Sequence, residues 1–103
     1  MKSTIVITGA SQGIGAAIAR EFARAGRGVR LALLARNGKN LGRVAAACQR
    51  GGARTKTFVC DVTEPDAVAA TARAVESLLG PADVLVNNAG LFEARAFLDE
   101  RLE

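Results

Sequence analysis

The sequence predicts an α/β fold in which a doubly wound parallel sheet of about four strands is covered by helices on both faces. Short runs of β-branched and aliphatic residues alternate with longer segments of helical periodicity, a pattern typical of such a sheet. The short runs are nearly continuously apolar, as expected for strands whose two faces are both covered. The 103 residues, half of them hydrophobic, can build one domain with its own core, over residues 1–103.

The four predicted strands are Thr4–Thr8, Val29–Ala35, Lys56–Cys60 and Val84–Asn87. A doubly wound arrangement places them in the order 3-2-1-4 across the sheet, numbered along the chain. The fourth strand then forms an open edge of apolar residues. Such an edge invites pairing, so we expect self-association through it.

The first predicted helix runs from Gly13 to Ala25 and ends at Gly26. Helical periodicity assigns its buried face to Ile14, Ala17, Ile18, Phe22 and Ala25. A second helix is predicted from an apolar stripe that consists of Leu41, Val44, Ala45 and Cys48. It ends at the pair of glycines 51 and 52.

The third predicted helix begins with a cap. Thr63 is expected to accept a hydrogen bond from the backbone of the first turn, and Pro65 lies in that turn, where its missing N–H is harmless. The buried stripe of this helix is expected to be Val68, Ala72, Val75 and Leu79. A final helix is predicted from Glu93 to Glu103.

Composition excludes several classes of protein. Two isolated cysteines, Cys48 and Cys60, and the absence of histidine indicate neither a disulfide framework nor a zinc site, and both thiols are expected to be buried. No apolar stretch approaches the roughly 20 residues that a membrane helix needs. The start of the chain lacks the small-residue cleavage site of a signal peptide, so we expect a cytoplasmic location.

The net charge of +4 conceals an asymmetry between the two halves of the chain. Residues 1–56 hold 11 lysines and arginines against Glu21 alone, whereas residues 57–103 hold three arginines against nine acids. A basic half can bind nucleic acid, but these cations occur singly at helical spacings, as in Arg20, Arg24 and Arg27, without aromatic residues for base stacking. We therefore expect solvated helix faces and no nucleic-acid partner.

A glycine-rich turn follows the first strand and leads directly into the first helix. Gly9 permits a tight turn, Gly13 lets the backbone approach a pyrophosphate, and Gly15 allows close packing of helix on strand. The helix N-terminus then presents backbone N–H groups to the phosphates. The alternative is a strand-to-helix turn without a function. A triphosphate-binding loop is excluded, because Gly15 is followed by Ala16 and Ala17 where that loop needs Lys and then Ser or Thr.

Arg36 is the most informative single residue. It stands 21 residues after Gly15, where a dinucleotide-binding fold places an Asp or Glu for the ribose 2′-hydroxyl, and where methyltransferases also generally need an acid. An arginine instead offers a bidentate fork to a 2′-phosphate, with Asn37 and Ser11 as further donors. We therefore expect NADP in preference to NAD. The alternative is that Arg36, one of eleven arginines, only solvates the start of the second helix.

Polar residues also follow the third and fourth strands at the same edge of the sheet. After the third strand, Asp61 can accept a hydrogen bond from an adenine amino group, with Val62 beside it. Capping of the next helix is the alternative for Asp61, and residue chemistry alone does not separate the two. After the fourth strand, Asn87-Asn88-Ala89-Gly90 suits contact with a ribose and side-chain bracing between strands. Two Asn residues taken alone most often form a turn.

These motifs together resemble the N-terminal part of a short-chain dehydrogenase/reductase. The resemblance rests on Thr8-Gly9-x3-Gly13-Ile14-Gly15, on Asp61 and on Asn87-Asn88-Ala89-Gly90, and it covers essentially the whole chain. It implies a Rossmann-type fold, adenine recognition by Asp61, and a ribose region lined by Asn88, Ala89 and Gly90. It also implies a hydride-transferring oxidoreductase, with Ile14 in the cofactor-binding motif, Arg36 as the mark of NADP-preferring members, and a carbonyl or alcohol as substrate.

The residues that transfer the proton in this family do not occur in the sequence. In the family a Tyr supplies the proton, a Lys lowers the pKa of that Tyr, and a Ser orients the carbonyl; all three lie beyond the Asn-Asn-Ala-Gly motif. This chain has no Tyr at all. We therefore hypothesise that it is the NADP-binding fragment of a reductase and is inactive by itself. The alternative is a non-catalytic NADP-binding or protein-interaction module.

Overall fold

The computed structural model describes residues 2–26 and 28–88. Its elements follow one another as β1 (Ser3–Thr8), α1 (Gly13–Ala23), β2 (Val29–Ala35), α2 (Leu41–Arg50), β3 (Arg54–Val59), α3 (Pro65–Leu79) and β4 (Val84–Val86). The helix predicted from Glu93 to Glu103 lies outside the described residues. No helix within the described ranges is long and apolar enough to cross a membrane.

All four strands are parallel and lie in the order β3-β2-β1-β4, which confirms the predicted topology. β1 is central, and its Ile5 is in register with Leu31 of β2 and with Val84 of β4. Because the strands are parallel, all four carboxyl ends meet at one edge of the sheet. The loops that follow those ends carry the polar motifs of the sequence.

The two faces of the sheet are covered by different helices, as a doubly wound fold requires. The face that α1 and α2 cover contributes Ile5, Ile7, Leu31 and Leu33 to one buried cluster. The opposite face contributes Val6, Ala32 and Leu34 to a second cluster, which packs against α3. Both cysteines are buried and free, Cys48 in the first cluster and Cys60 in the second, as predicted.

The buried face of α1 is not the one that periodicity predicted. The residues that α1 buries are Gly15, Ala16, Ala19 and Ala23. Ile18 and Phe22 are only half-buried, Ala17 and Ala25 are exposed, and Ile14 is 70% exposed. The prediction was wrong because α1 approaches the sheet so closely that only glycine and alanine have room at the contact. The larger apolar side chains therefore lie at its rim.

The other two helices match their predicted faces. α2 buries Leu41, Val44, Ala45 and Cys48, and α3 buries Val68, Val75 and Leu79. The predicted cap of α3 was wrong. Glu64, not Thr63, occupies the N-cap position, and its side chain makes no capping hydrogen bond. Pro65 is the first residue of the helix, as predicted, and Thr63 instead binds Asp61.

Candidate functional site

An open cleft of about 690 Å³ lies at the carboxyl edge of the sheet. The loops that follow all four strands contribute to its lining. The predicted binding residues that line it are Gly9, Ser11, Gly13, Ile14, Arg36, Asn37, Asp61, Val62 and Asn88. Gly15 lies beneath the cleft, and Ala89 and Gly90 lie outside the described residues.

The glycine-rich turn forms one wall of this cleft. Gly9 and Gly13 have φ angles of +62° and +59°, a conformation that residues with a Cβ rarely adopt. A Cβ on Gly13 would meet no other atom within 4 Å, so the backbone there is open to the cleft. A Cβ on Gly15, in contrast, would overlap the carbonyl oxygen of Gly9. Two of the three glycines thus shape the turn, and the third allows α1 to pack on it.

The N-terminus of α1 is open to an anion. The N-cap residue, Gln12, has an extended backbone, and its side chain makes no capping hydrogen bond. No acidic residue occupies the first turn of the helix. The first backbone N–H groups of a helix have no partner inside it, and they carry the positive end of the helix dipole. These groups are therefore available to a phosphate in the cleft.

Hydrogen bonds join the end of β4 to the end of β1. The backbone N–H of Asn88 donates to the Thr8 hydroxyl oxygen at 2.9 Å, and the Asn88 side-chain amide donates to the Gly9 carbonyl oxygen at 3.3 Å. The Thr8 hydroxyl also lies 3.2 Å from the side-chain oxygen of Asn87. Both asparagines therefore brace the two strands, which is one of the roles that the sequence suggested for them.

The loop after β2 brings a positive charge to the cleft. Arg36 is exposed, and it takes part in no salt bridge within the described part of the chain. The next residue, Asn37, accepts a hydrogen bond of 2.8 Å from the backbone N–H of Lys39 through its side-chain oxygen. α2 begins only at Leu41. Arg36 thus lines the cleft, in a loop whose turn Asn37 holds, and does not stand on the helix surface.

The loop after β3 brings a negative charge to the same cleft. The Asp61 carboxylate accepts hydrogen bonds from the Thr63 hydroxyl at 2.6 Å and from the Thr63 backbone N–H at 3.0 Å. These two bonds, first the hydroxyl and then the N–H, lower the pKa of Asp61, and the nearby Arg36 charge lowers it further to a smaller extent. The carboxylate is therefore anionic and fixed in orientation, and it closes a turn ahead of α3 without capping the helix.

Four lining residues were absent from the predicted site: Gln12, Ala35, Cys60 and Thr63. Gln12 stands inside the glycine motif, so its position in the turn was a signal for it. Cys60 and Ala35 end or follow strands at the carboxyl edge, but their small apolar side chains gave no sign of a site. Within the described residues, no group of three or more His, Cys, Asp or Glu could hold a metal ion.

The fold is of the Rossmann type, a class in which dinucleotides bind at this edge of the sheet. The family model for short chain dehydrogenase matches residues 3–103, and the chain belongs to that family. This match confirms the resemblance that the glycine, Asp61 and Asn-Asn-Ala-Gly motifs indicated.

Three similar proteins illustrate the relationship. Gluconate 5-dehydrogenase of Gluconobacter oxydans (strain 621H) is 41% identical over 95 residues, which are 92% of this chain and 36% of that protein. The structure of a metagenomic short-chain oxidoreductase in complex with NADP is 43% identical, with a TM-score of 0.79 over 86% of this chain and 39% of that one. The structure of NAD⁺-bound xylitol dehydrogenase is 36% identical, with a TM-score of 0.81 over 86% and 34%. The chain therefore spans little more than a third of the length of these relatives.

Proposed function

We propose that this chain is the NADP(H)-binding part of an oxidoreductase that transfers hydride between a nicotinamide and a carbonyl or alcohol substrate. The observation that carries the proposal is the presence of Arg36 in the same cleft as the open N-terminus of α1. A phosphorylated ribose needs a cation, and a pyrophosphate needs free N–H groups. The family match supports an oxidoreductase over a stand-alone binding module.

The residues of the cleft suit the parts of this cofactor. The first turn of α1 and the open backbone at Gly13 would hold the pyrophosphate, while Ile14 offers an exposed apolar side chain beside it. The Arg36 guanidinium would pair with the 2′-phosphate, helped by Ser11 and Asn37.

The loops after β3 and β4 suit the base and a ribose. Asp61 is anionic and retains acceptor capacity for an adenine amino group, with Val62 beside it. Asn88, with Ala89 and Gly90, would lie along the ribose.

The bound nicotinamide would supply the hydride, and a separate group must supply the proton. The chain has no Tyr and no His, and among the described residues that line its cleft Asp61 is the one carboxylate, which we assign to the adenine side. We therefore propose that proton transfer and substrate binding need residues beyond these 103. Under this proposal the chain binds the cofactor and does not turn it over.

The test compares the two cofactors. The chain has no Trp or Tyr, so the fluorescence of bound NADPH or NADH can be read without protein emission from those residues. Wild-type protein should bind NADPH more tightly than NADH. Arg36→Asp should weaken NADPH binding by at least about tenfold and leave NADH binding nearly unchanged. Arg36→Lys, which keeps the charge and loses the fork, should be intermediate.

A matched control and a rate assay complete the test. Arg73→Asp removes an exposed arginine from α3, on the other face of the sheet, and should change neither affinity. Equal losses for the two cofactors in Arg36→Asp would refute the phosphate role. Turnover of ketones by the purified 103-residue chain with NADPH would refute the requirement for further residues.

A further inference from the structure

A second groove, separate from the cofactor cleft, lies between the outer surfaces of α1 and α2. It has a volume of about 390 Å³ and is lined by Ala17, Arg20, Glu21, Ala23, Arg24, Ala47 and Gly51. Both helices connect parallel strands, so they run in the same direction. The lining residues of the groove span positions 17–24, roughly 10 Å at 1.5 Å per residue, and the C-terminal end of α2. We call it the α1–α2 groove.

Small residues form the floor of the α1–α2 groove. Ala17 and Ala47 contribute only methyl groups. A Cβ on Gly51 would already lie 3.4 Å from the Ala23 carbonyl oxygen and 3.6 Å from the Ala23 Cβ, so the two helices pack closely there. A shallow channel between two parallel helices, without large side chains across it, can receive the ridge of a third helix.

Arginines stand along both sides of this floor. Arg20 and Arg24 line the groove from α1. Arg43 and Arg50 lie four residues before and three residues after Ala47 on α2, and this spacing puts them on the same stripe of the helix. All four are exposed. Positive side chains therefore flank the floor of the groove on both helices.

A single acid interrupts this positive surface. The Glu21 carboxylate lies 3.3 Å from the Arg24 guanidinium, and the two side chains are 73% and 77% exposed. An ion pair between two such exposed side chains contributes little to stability, and either side chain can readily pair with another charge. The four arginines thus leave a net positive groove with an uncharged floor.

We propose that the α1–α2 groove docks an acidic amphipathic helix of a partner protein. Such a helix can carry carboxylates on both sides of a stripe of small or apolar residues, where they reach the arginines that flank the groove. Its small or apolar residues would rest on the alanines of the floor. Nucleic acid is a poorer match, because the chain has no Trp or Tyr and Phe22 packs against the core. The groove is independent of the cofactor cleft.

Fluorescence anisotropy with two labelled peptides tests the proposal. Both are alanine-based helices of about 20 residues with the same number of glutamates. One carries the glutamates along one face, and the other distributes them around the helix. The first should bind the 103-residue chain at least about tenfold more tightly than the second, with an affinity that falls as salt rises.

Three variants locate the binding site. Arg20→Glu reverses one wall charge, and Ala17→Phe fills the groove at an exposed position without changing any charge. Each should weaken binding of the facial peptide about tenfold or more. Arg73→Glu on α3, on the opposite face of the sheet, should leave it unchanged. Circular dichroism and NADPH binding report that each variant is folded.

Several outcomes would overturn the proposal. Equal binding of the two peptides would mean that only net charge matters. Wild-type affinity in a folded Ala17→Phe would place the peptide elsewhere. If duplex DNA competes with the peptide equally well on Ala17→Phe and on the wild type, the surface binds polyanions in general.

Discussion

The side-chain amide of Asn88 donates a hydrogen bond of 3.3 Å to the carbonyl oxygen of Gly9. This bond links Asn88, which lies two residues beyond the end of β4, to the first glycine of the turn after β1. The same Asn88 donates its backbone N–H to the Thr8 hydroxyl, 2.9 Å away. The shape of the turn after the central strand thus depends on the short strand at the edge of the sheet.

The hydrogen bond of the Asn88 side chain can be tested separately from the size of that side chain. Asn88→Ala removes the side-chain bond and should lower the free energy of unfolding by about 1 kcal/mol, the net contribution of a typical hydrogen bond. Asn88→Asp has nearly the same shape but places a carboxylate against the Gly9 carbonyl, so it should lower stability at least as much. Urea denaturation measures both. Wild-type stability in Asn88→Asp would show that the bond does not hold the turn.

Gly15 is expected to tolerate no side chain. A Cβ there would overlap the Gly9 carbonyl oxygen and lie 2.8 Å from the Asn88 amide nitrogen. Gly15→Ala should therefore destabilise the protein by about 1–3 kcal/mol, the usual cost of overpacking. Gly42→Ala is the matched control: Gly42 is exposed on α2, nothing lies within 4 Å of its added Cβ, and the change should stabilise by about 0.5–1 kcal/mol. Similar effects from both would contradict the close packing of α1.

The pKa of Asp61 is expected to depend more on Thr63 than on Arg36. Asp61 has a lowered pKa in the folded protein, so the unfolded state binds the proton more tightly. Its contribution to stability is therefore complete above its unfolded pKa of about 3.9 and is lost as the pH falls through the lower folded pKa. Carboxyl titration by NMR should show a larger rise in the Asp61 pKa for Thr63→Val than for Arg36→Gln. The reverse order would assign the shift to charge.

A charge at residue 37 is expected to change cofactor choice, whereas the hydrogen bond from Lys39 to this residue is expected to hold the shape of the loop. Asn37→Asp keeps an acceptor for the Lys39 N–H, 2.8 Å away in the wild type, but adds a negative charge next to Arg36. The loop should persist, while NADPH binding weakens about tenfold more than NADH binding. Asn37→Ala removes the acceptor without adding charge, and its effect on the two cofactors should be more nearly equal. Isothermal titration calorimetry distinguishes these patterns.

The edge of β4 is expected to mediate self-association of the 103-residue chain. β4 pairs with β1 on one side, and Val84 is 41% exposed. An exposed apolar edge strand is a template for pairing, and a lysine there opposes it. Sedimentation velocity should show a mass that rises with concentration, and Val84→Lys should reduce that rise. A wild-type monomer at all concentrations would contradict the prediction.

Much of the fold followed from local patterns. Nearly continuous apolar runs located β1, β2 and β4. The same expectation was wrong for β3, which is largely polar and exposed and begins at Arg54, two residues before its predicted start. The stripes of α2 and α3 were correct because leucine and valine fill the space between those helices and the sheet. The face of α1 could not be predicted in the same way. Periodicity assigns the largest apolar residues to the core, but the close approach at Gly15 reserves the contact for glycine and alanine, and Ile14 is left 70% exposed.

The candidate site could also be predicted only in part from the sequence. The glycine spacing and the position of Arg36 could be predicted from the sequence, because strand-to-helix turns and parallel strand ends impose fixed separations along the chain. The partner of Thr63 could not be predicted, because the Asp61 side chain, two residues away, competes with the helix backbone for a hydrogen bond with the Thr63 hydroxyl. The lining position of Cys60 also depended on where β3 ends.

The sequence by itself determined the family, the strand order and nine of the residues that line the cleft, since each follows from motifs of short range. Only the tertiary structure decided how α1 rotates on the sheet and how Asn88 reaches Gly9. It also brought Arg20 and Arg24 beside Ala47 of α2 in one groove. These features depend on contacts between segments distant in the chain, for example 79 residues apart for Asn88 and Gly9, and packing settles such contacts after the local elements are formed.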